Sequence, residues 1–214
     1  MFPISQLPDT IIFANGKPST DAHTHYLLKH AKLIICCDGA VQKLLNLGYE
    51  PNCIIGDCDS ITPELYERYK EILIRDESTE YNDLQKALRY VIAQGHKNVA
   101  ILSSFGYRED HAIANLSIAA LYSRQIEILM ASQHGIFIPI NETRSFCTYK
   151  GQQISVFSFN PEICFTFHGL RYPVEGRKFR YLWEGSLNEA LGEEITIECD
   201  GGEAAVYFAH RKEW

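Results

Sequence analysis

The sequence predicts an α/β chain with two domains: an N-terminal, Rossmann-like, mostly parallel sheet with flanking helices, and a C-terminal all-β sandwich. Two observations predict it. Short apolar, β-rich runs alternate with segments of helical period up to about residue 131, which is typical of a parallel sheet covered by helices. Beyond that residue the helical period disappears, and short β-rich runs are separated by Gly, Pro and Asn. We therefore expect an α/β domain at 1–131 and a β-sandwich domain at 132–214.

The N-terminal strands are predicted from apolar runs that stop at turn signals such as Asn15-Gly16. The helices between them are predicted from apolar spacing, with Gly48 closing one of them. The predicted strands are Thr10–Ala14, Leu33–Cys37, Cys53–Ile55, Ile72–Ile74, Val99–Leu102 and Ile126–Met130. The predicted helices are one around 26–30, Val41–Leu47, Pro63–Lys70, 82–94 and Ile113–Tyr122.

The segment 82–94 gives the strongest helical pattern. Five apolar residues fall at i, i+3, i+4, i+7 and i+8, so they share one face of a helix. Asn82 is available as the N-cap and Gly95 as the stop. The five are Leu84, Ala87, Leu88, Val91 and Ile92.

The C-terminal strands are predicted from five β-rich runs. In the run that ends at Cys199, acidic or hydroxyl residues alternate with apolar ones, which is the pattern of a half-buried antiparallel strand. The predicted strands are 136–138, 154–159, 164–167, 195–199 and 204–208.

Composition excludes several classes of protein. The net charge of −7 and the pI near 5.6 argue against a general nucleic-acid binder and against a basic membrane-surface protein. No apolar run approaches the roughly 20 residues that a membrane span needs. The seven cysteines show no C-x-x-C pair and lie mostly in apolar segments, which favours buried, reduced thiols. We expect a cytoplasmic protein that binds neither nucleic acid nor membrane.

The stretch Gly56–Ser60 is the first candidate site. Asp57 and Asp59 follow an apolar run, at the position where open α/β sheets bind ligands. Two carboxylates about 5 Å apart repel each other by roughly 3 kcal/mol at an effective dielectric constant of about 20, so a cation is expected between them. Mg²⁺ prefers such oxygen ligands and is commonly bound together with phosphates. The alternative is a simple turn, because Gly, Asp and Ser are turn formers.

Four polar stretches follow predicted strands, so a parallel sheet would bring them to one edge. Three are dominated by acidic side chains, and the fourth adds Arg108. This combination suits a metal-bound polyphosphate, with carboxylates on the metal and the guanidinium on the phosphates. The stretches are Cys37–Ala40 with Asp38 and Gly39, Gly56–Ser60, Glu80–Asp83 with Asn82, and Phe105–His111 with Asp110.

Each of these residues also has a structural interpretation. Asp83 could interact only with the dipole of its own helix, Asp110 could only cap the next helix, and Arg108 could only pair with a neighbouring acid. Lys86 lies one turn beyond Asp83 and reaches either phosphate or an acidic neighbour on the helix. The shared position of these residues after strands favours the functional interpretation.

Six segments, in order, resemble the motifs of the thiamine pyrophosphokinase family. Any one of them is weak evidence, but the six together extend along nearly the whole chain. They are Asp38-Gly39-Ala40, Gly56-Asp57-Cys58-Asp59-Ser60, Asn82-Asp83-Leu84-Gln85-Lys86-Ala87, Gly106-Tyr107-Arg108-Glu109-Asp110-His111 with Asn115, Gly169-Leu170-Arg171-Tyr172-Pro173 and Ser186-Leu187-Asn188-Glu189.

The resemblance implies an enzyme that transfers pyrophosphate from ATP to the hydroxyl of thiamine, giving thiamine diphosphate and AMP. It implies Mg²⁺ held by Asp57, Asp59 and Asp83, which together with Arg108 would be the catalytic residues. It also implies a homodimer with sites between subunits, in which residues 1–131 bind ATP and Mg²⁺ and residues 132–214 bind thiamine and form the dimer. On the same basis the nucleotide and polyphosphate residues are Asp38, Gly39, Asn82, Lys86, Arg108 and Asp110, and the thiamine residues are Ser186 and Asn188.

Departures from the family pattern limit the transfer of residue roles. The family often has an acid where this chain has Ser78, and commonly has a glycine where it has Tyr107. The aromatic residue against thiamine is not identified, since neither Trp183 nor Trp214 aligns, which leaves Tyr207 or Phe208 as replacements.

Two other functions remain open from the residues. One is a related pyrophosphokinase acting on another hydroxymethyl heterocycle such as a pterin, because the acidic edge fits any such acceptor. The other is a catalytically silent nucleotide-binding module. The segment around Ser186 counts against the pterin, and the full set of aspartates with Arg108 counts against the silent module.

Overall fold

The computed structural model describes residues 2–211. Within that range the chain divides into two compact units. The first unit contains residues 8–115 and 125–133. The second contains residues 134–211 together with the short stretches 2–7 and 116–124.

The first unit is built on a parallel sheet in the order β6-β5-β1-β2-β3-β4. Its central strand β1 is fully buried, with Ile11, Ile12 and Phe13 at 0% exposure, as expected for a parallel strand covered on both faces. The strands are β1 (Thr10–Phe13), β2 (Leu33–Cys37), β3 (Cys53–Gly56), β4 (Leu73–Arg75), β5 (Asn98–Leu102) and β6 (Glu127–Ser132).

The helices begin at the caps that their sequences supply. The Asp21 carboxylate accepts hydrogen bonds from the backbone amides of His23 and Thr24, and the Thr62 hydroxyl accepts one from Leu65. Gly95 has a φ of +82°, a conformation that glycine adopts without strain. The helices are α1 (Ala22–His30), α2 (Val41–Asn46), α3 (Pro63–Tyr69), α4 (Asp83–Ala93) and α5 (Glu109–Tyr122).

Helix α4 packs against strands β2 and β3 and so brings its N-terminus to their carboxyl ends. The face of α4 that packs on the sheet carries Leu84, Leu88 and Val91, each of which is at most 4% exposed. Burial of each such side chain contributes about 1.5–3 kcal/mol. This packing positions Asp83, the first residue of α4, at the edge of the sheet that holds the candidate site.

The second unit contains two sets of four antiparallel strands, in the orders β12-β9-β14-β7 and β11-β10-β13-β8. The two sets share a core in which Phe146 of β8 contacts Phe208 of β14 at 4.9 Å between ring centroids. The strands are β7 (Gly135–Ile140), β8 (Arg144–Cys147), β9 (Gln153–Ser158), β10 (Cys164–His168), β11 (Val174–Lys178), β12 (Gly185–Glu189), β13 (Glu194–Cys199) and β14 (Ala204–Ala209).

The prediction of an α/β chain with a second β domain is confirmed. Three strands, β8, β11 and β12, were not predicted. They are short and largely exposed or half-buried, so no alternation of apolar residues marks them. Helix α5 begins at Glu109 rather than at Ile113, because its first turn is exposed and lacks an apolar stripe.

Between residues 2 and 211, no helix is long and apolar enough to cross a membrane. All seven cysteines lie in this range as free thiols. Four are buried, as predicted, whereas Cys58 and Cys164 are half-buried and Cys147 is exposed, so the prediction of buried thiols is wrong for these three.

Candidate active site

Three carboxylates meet at the carboxyl ends of β2 and β3. Asp38 follows β2, and Asp57 and Asp59 follow β3, its parallel neighbour in the sheet. One oxygen of each of the three side chains lies within 4.8 Å of the others. We call Asp38, Asp57 and Asp59 the carboxylate cluster.

Asp38 is fixed in this cluster by backbone donors. Its side chain is 3% exposed and accepts hydrogen bonds from the amide of Gly39 at 2.5 Å and from the amide of Cys58 at 2.8 Å. Gly56 leaves the space that it occupies, since a Cβ built on residue 56 would come within 2.4 Å of Asp38 Cγ. Gly39 is equally restricted, because its Cβ would lie 2.3 Å from Asn15 Nδ2. The glycines of both motifs are therefore explained by close packing.

The loop between Asp57 and Asp59 folds back on itself. Asp57 accepts a hydrogen bond from the amide of Asp59 at 3.1 Å, and the Ser60 hydroxyl donates to Asp59 at 2.9 Å. Cys58 adopts a φ of +68°, which is uncommon for a residue other than glycine. This turn directs both carboxylates toward Asp38.

The carboxylates of the cluster and of Asp83 repel one another. Burial, followed by the Asp83 and Asp57 carboxylates, raises the pKa of Asp38 to about 6, against the hydrogen bonds from Cys58 and Gly39. The hydrogen bond from the amide of Asp59 lowers the pKa of Asp57. A cation would relieve this repulsion, and an all-carboxylate oxygen set fits Mg²⁺.

Asp83 borders the cluster but belongs to a different contact. It forms an ion pair with Lys86 at 3.5 Å, and burial raises its pKa, opposed by Lys86 and reinforced by Asp57 and Asp59. The family resemblance implies a metal site of Asp57, Asp59 and Asp83, with Asp38 toward the nucleotide. In residues 2–211 the three-carboxylate cluster contains Asp38, and Asp83 stands beside it.

Lys86 and Asn82 are held by the fold around α4. Lys86 is 5% exposed, and its ammonium donates to the carbonyl of Asp76 at 2.9 Å. The Asn82 side chain caps α4 by accepting from the amide of Gln85 at 2.9 Å, and the Gln85 side chain returns a hydrogen bond to the Asn82 amide. Both residues therefore shape the site, since they fix the position of Asp83.

A cavity of about 500 Å³ opens beside the cluster within the first unit. Asp83, Asn82 and Cys37 line it together with residues from the ends of β1 and β5 and from α5. Its further lining residues are Ala14, Asn15, Gly16, Leu84, Ser104, Phe105, Tyr107, Arg108, His111, Ala114 and Asn115.

Arg108 and Asp110 form a two-pronged ion pair at this cavity. Arg108 donates through Nε and Nη2 to the two oxygens of Asp110 at 3.1 and 2.6 Å. Both side chains are more than 60% exposed. The pairing raises the pKa of Arg108 and lowers the pKa of Asp110. Asp110 lies in the first turn of α5 and is not its N-cap.

Asn15 and Gly16, which the sequence predicts only as a turn, also contribute to the site. Lys43 donates to the Asn15 carbonyl at 2.8 Å and to its side-chain oxygen at 2.6 Å, and it lies 4.7 Å from the centroid of the Tyr107 ring. Burial lowers the pKa of Lys43. The position of Asn15 just after a central strand was the available signal, because the same rule identified the other stretches.

In the second unit, the two predicted thiamine residues are engaged in local hydrogen bonds. Asn188 is 5% exposed and exchanges hydrogen bonds with both backbone groups of Tyr172, at 3.0 and 2.8 Å. The Ser186 hydroxyl donates to the carbonyl of Trp183 at 2.6 Å. Leu187, between them, has a φ of +61° and is 79% exposed.

The candidate aromatic residues for thiamine differ in exposure. Trp183 is 69% exposed and stacks beside Tyr181, whereas Phe208 is buried in the core against Phe146. The Tyr207 hydroxyl donates to the carbonyl of His134 at 2.8 Å. Trp214 lies outside the described residues.

Family models match both parts of the chain. The model of the thiamin pyrophosphokinase catalytic domain matches residues 24–130, and the model of the thiamin pyrophosphokinase substrate-binding domain matches residues 135–207. Thiamine pyrophosphokinase 2 of Oryza sativa subsp. japonica is 26% identical over 209 residues, covering 81% of this chain and 77% of the relative. Thiamine pyrophosphokinase 1 of Arabidopsis thaliana is 25% identical over 208 residues, covering 83% and 78%.

Solved structures share the fold. Thiamine pyrophosphokinase from Bacillus subtilis superposes with a TM-score of 0.78 at 21% identity, covering 95% of this chain and all of that chain. Thiamin pyrophosphokinase from Candida albicans gives a TM-score of 0.79 at 16% identity, covering 94% of this chain and 89% of that chain. Because the two family models together match most of its length, this chain belongs to the thiamin pyrophosphokinase family.

Proposed function

We propose that this protein transfers the pyrophosphoryl group of ATP to the hydroxyl group of thiamine, giving thiamine diphosphate and AMP. The observation that carries the proposal is the carboxylate cluster beside a cavity that Arg108 lines, within the part of the chain matched by the catalytic-domain model. Carboxylates, a guanidinium and a cavity are the parts that transfer of a metal-bound polyphosphate requires.

Asp57 and Asp59 hold Mg²⁺ in this proposal, with Asp38 as the third carboxylate and Asp83 at the border with the cavity. When bound there, Mg²⁺ would supply positive charge next to the phosphate oxygens. Asp38 serves best as a fixed anion, because its two backbone hydrogen bonds and its burial keep it in one position. Asp83 is more exposed and lines the cavity, so it meets the substrate directly.

Arg108 binds the polyphosphate. In the free protein its guanidinium is held by Asp110, which keeps the fork oriented at the cavity. A phosphate presents the same two-oxygen geometry as a carboxylate and competes for that fork. Lys86 remains in contact with Asp83 and with the carbonyl of Asp76, and contributes a buried positive charge next to the site. Asn82 and Gly39 hold the backbone of the site in place.

In this proposal the two parts of the chain bind different substrates. We assign ATP and Mg²⁺ binding to a Rossmann-like domain at 1–131, and thiamine binding and dimer formation to the β domain at 132–214. Ser186 and Asn188 border the thiamine site. Support for the second assignment comes from the match of residues 135–207 to the substrate-binding model.

A homodimer with sites between subunits accounts for apolar side chains left exposed. Ile113 and Leu121 of α5 are 62% and 51% exposed, and Trp183 and Leu187 are exposed as well. Exposed apolar side chains of this size are typical of interaction surfaces when they form patches. The free thiols are consistent with a reducing, cytoplasmic environment.

The test is an assay of purified protein with ATP, Mg²⁺ and thiamine, in which AMP and thiamine diphosphate are followed together by chromatography. We expect equal amounts of both products, and none with EDTA. A parallel reaction contains a hydroxymethylpterin instead of thiamine. Product from the pterin alone would reassign the acceptor, and nucleotide binding without AMP would indicate a silent module.

A further inference from the structure

The loop after β5 contains a buried hydroxyl group that makes no hydrogen bond within the described residues. Ser104 is 2% exposed, and its Oγ has no hydrogen-bond partner among residues 2–211. Leaving such a group unpaired costs free energy, since it loses its hydrogen bonds to water on burial. The hydroxyl borders the cavity beside the carboxylate cluster, so a bound molecule can reach it.

The surrounding loop is held firmly, which makes the free hydroxyl a fixed feature. Asn115 donates to the Ser104 carbonyl at 2.9 Å. The Ser103 hydroxyl donates to the carbonyl of Gly16 at 3.0 Å, and the Gly16 amide donates to the carbonyl of Ser103 at 2.6 Å. Ser103 has a φ of +56°, so the chain turns sharply just before Ser104. Every neighbouring hydrogen bond fixes the backbone, and none engages the Ser104 side chain.

The composition of the cavity wall indicates which part of a ligand lies there. Phosphates belong at the carboxylate cluster and Arg108, where the charges are. Besides Asp83, Arg108 and His111, the lining of the cavity includes Phe105, Ala14 and Ala114, which are small or aromatic and carry no charge. A neutral, ring-containing group with hydrogen-bonding atoms fits such a wall.

We propose that the Ser104 hydroxyl forms a hydrogen bond with the nucleoside portion of the bound nucleotide and so contributes to nucleotide affinity. The inference rests on the proposed function, which directs thiamine to residues of the β domain and leaves this cavity to ATP. Ser104 belongs neither to the carboxylate cluster nor to the Arg108–Asp110 pair, so we assign its contribution to ground-state binding. It is a binding residue that the family motifs do not include.

The experiment measures binding of α,β-methylene-ATP with Mg²⁺ by calorimetry to wild type, Ser104→Ala and Ser104→Cys. Alanine removes the hydroxyl, and cysteine keeps the size but is a weak hydrogen-bonding group. We expect Kd to rise about three- to tenfold in both variants, the range for one hydrogen bond to a neutral group. The affinity for inorganic tripolyphosphate, which lacks a nucleoside, stays unchanged.

The melting temperature of the free protein gives a second readout. Because the hydroxyl has no partner, Ser104→Ala leaves Tm unchanged or raises it by about 2–4 °C. Ser103→Ala, which removes a hydroxyl that does have a partner, lowers Tm. An unchanged Kd for the nucleotide, a matching loss of tripolyphosphate affinity, or a lower Tm of free Ser104→Ala would each overturn the proposal.

Thiamine turnover separates this inference from the function itself. If wild type binds the analogue but does not phosphorylate thiamine, the proposed function fails and the role of Ser104 is still decided by the Kd values. If the variants raise only the KM for thiamine, Ser104 belongs to the acceptor site and the inference is wrong. If wild type does not bind the analogue at all, both fail.

Discussion

The carboxylate of Asp38 occupies the space beside Gly56 that a side chain would otherwise fill. A Cβ built on residue 56 would come within 2.4 Å of Asp38 Cγ and within 2.6 Å of Oδ2. Gly56 ends β3 and Asp38 follows β2, so the Asp38 carboxylate fills the space between the ends of two neighbouring strands. The glycine of the Gly-Asp-x-Asp-Ser motif thus leaves room for the aspartate that follows the neighbouring strand.

Gly56→Ala tests this relationship. The added methyl group forces Asp38 away from the Gly39 and Cys58 amides, and overpacking of this kind costs about 1–3 kcal/mol of unfolding free energy. We expect urea unfolding to show this loss of unfolding free energy. We also expect the activity to fall by more than the loss of folded protein would explain. Gly48→Ala is a comparison for the close contact, since nothing lies within 4 Å of its Cβ position, although its φ of +83° adds strain. Full activity in Gly56→Ala would refute the relationship.

Asp57→Asn and Asp59→Asn test the metal site. In wild type, Mg²⁺ relieves repulsion in the carboxylate cluster, and binding at 10 to 100 times its Kd stabilises the protein by about 1–3 kcal/mol. We expect each variant to lose most of the Mg²⁺-dependent rise in Tm and to retain a folded state in EDTA. Glu64→Gln, which removes an exposed carboxylate from the first turn of α3, keeps the full response. An unaltered Mg²⁺ response in both variants would show that these carboxylates are not ligands.

The raised pKa of Asp38 predicts how stability depends on pH without metal. Its pKa is about 6 in the folded protein and 3.8 in the unfolded chain, so the stability it contributes is present below pH 4 and is lost as pH rises through 6. The loss is on the order of 2–3 kcal/mol. We expect Asp38→Asn to be less destabilising at pH 7.5 than at pH 4.5 in EDTA, as measured by urea unfolding. The same difference at both pH values would contradict the shift.

Asp57→Asn provides the comparison of opposite sign. The pKa of Asp57 is lowered, so the stability it contributes is present above its unfolded value and is lost as pH falls through the folded pKa. Its replacement is therefore more destabilising at pH 7.5 than at acidic pH.

The sequence predicts much of the α/β part, because its signals are local. Helix α4 begins directly after its predicted N-cap, Asn82, and ends just before the predicted stop, Gly95. Both ends are predictable because a cap and a stop act on adjacent residues. Strands β11 and β12 could not be predicted, because exposed strands are held by cross-strand hydrogen bonds that leave no apolar pattern.

The sequence predicts that the site lies at one edge of the sheet, but it does not predict which side chains of the site contact each other. That Asp38 joins Asp57 and Asp59 depends on the register of Cys37 opposite Ile55 and on the left-handed turn at Cys58. The register pairs strands that are distant in the chain, and the turn at Cys58 is held by a hydrogen bond from its amide to Asp38, about twenty positions away, so neither gives a local signal. The free hydroxyl of Ser104 was not predictable either, because burial without a partner can be seen only when all neighbours are placed.

Lys86→Met tests whether the buried lysine supports Asp83. The substitution leaves the Asp83 carboxylate half-buried without its cation and the Asp76 carbonyl without its donor. We expect a loss of about 2–4 kcal/mol of unfolding free energy at pH 7.5, and a smaller loss at acidic pH, where Asp83 is protonated. Lys70→Met removes an exposed ion pair of the same i,i+3 spacing, with Glu67, and has little effect. Equal losses in the two variants would contradict a special role for Lys86.

Arg108→Ala separates a catalytic role from a structural one. Because Arg108 and Asp110 are both exposed, their ion pair contributes little to stability, and Tm is expected to stay unchanged. Loss of a guanidinium that stabilises the transferring phosphates lowers kcat by about 10²–10³. Arg108→Lys restores only a small part, since a lysine keeps the charge but not the two-pronged geometry. Arg68→Ala removes another exposed ion pair, with Glu50, and leaves kcat unchanged. If Arg108→Ala raised the KM for thiamine and left kcat intact, Arg108 would belong to the acceptor side, and the polyphosphate would have to be held by the carboxylate cluster and its metal alone.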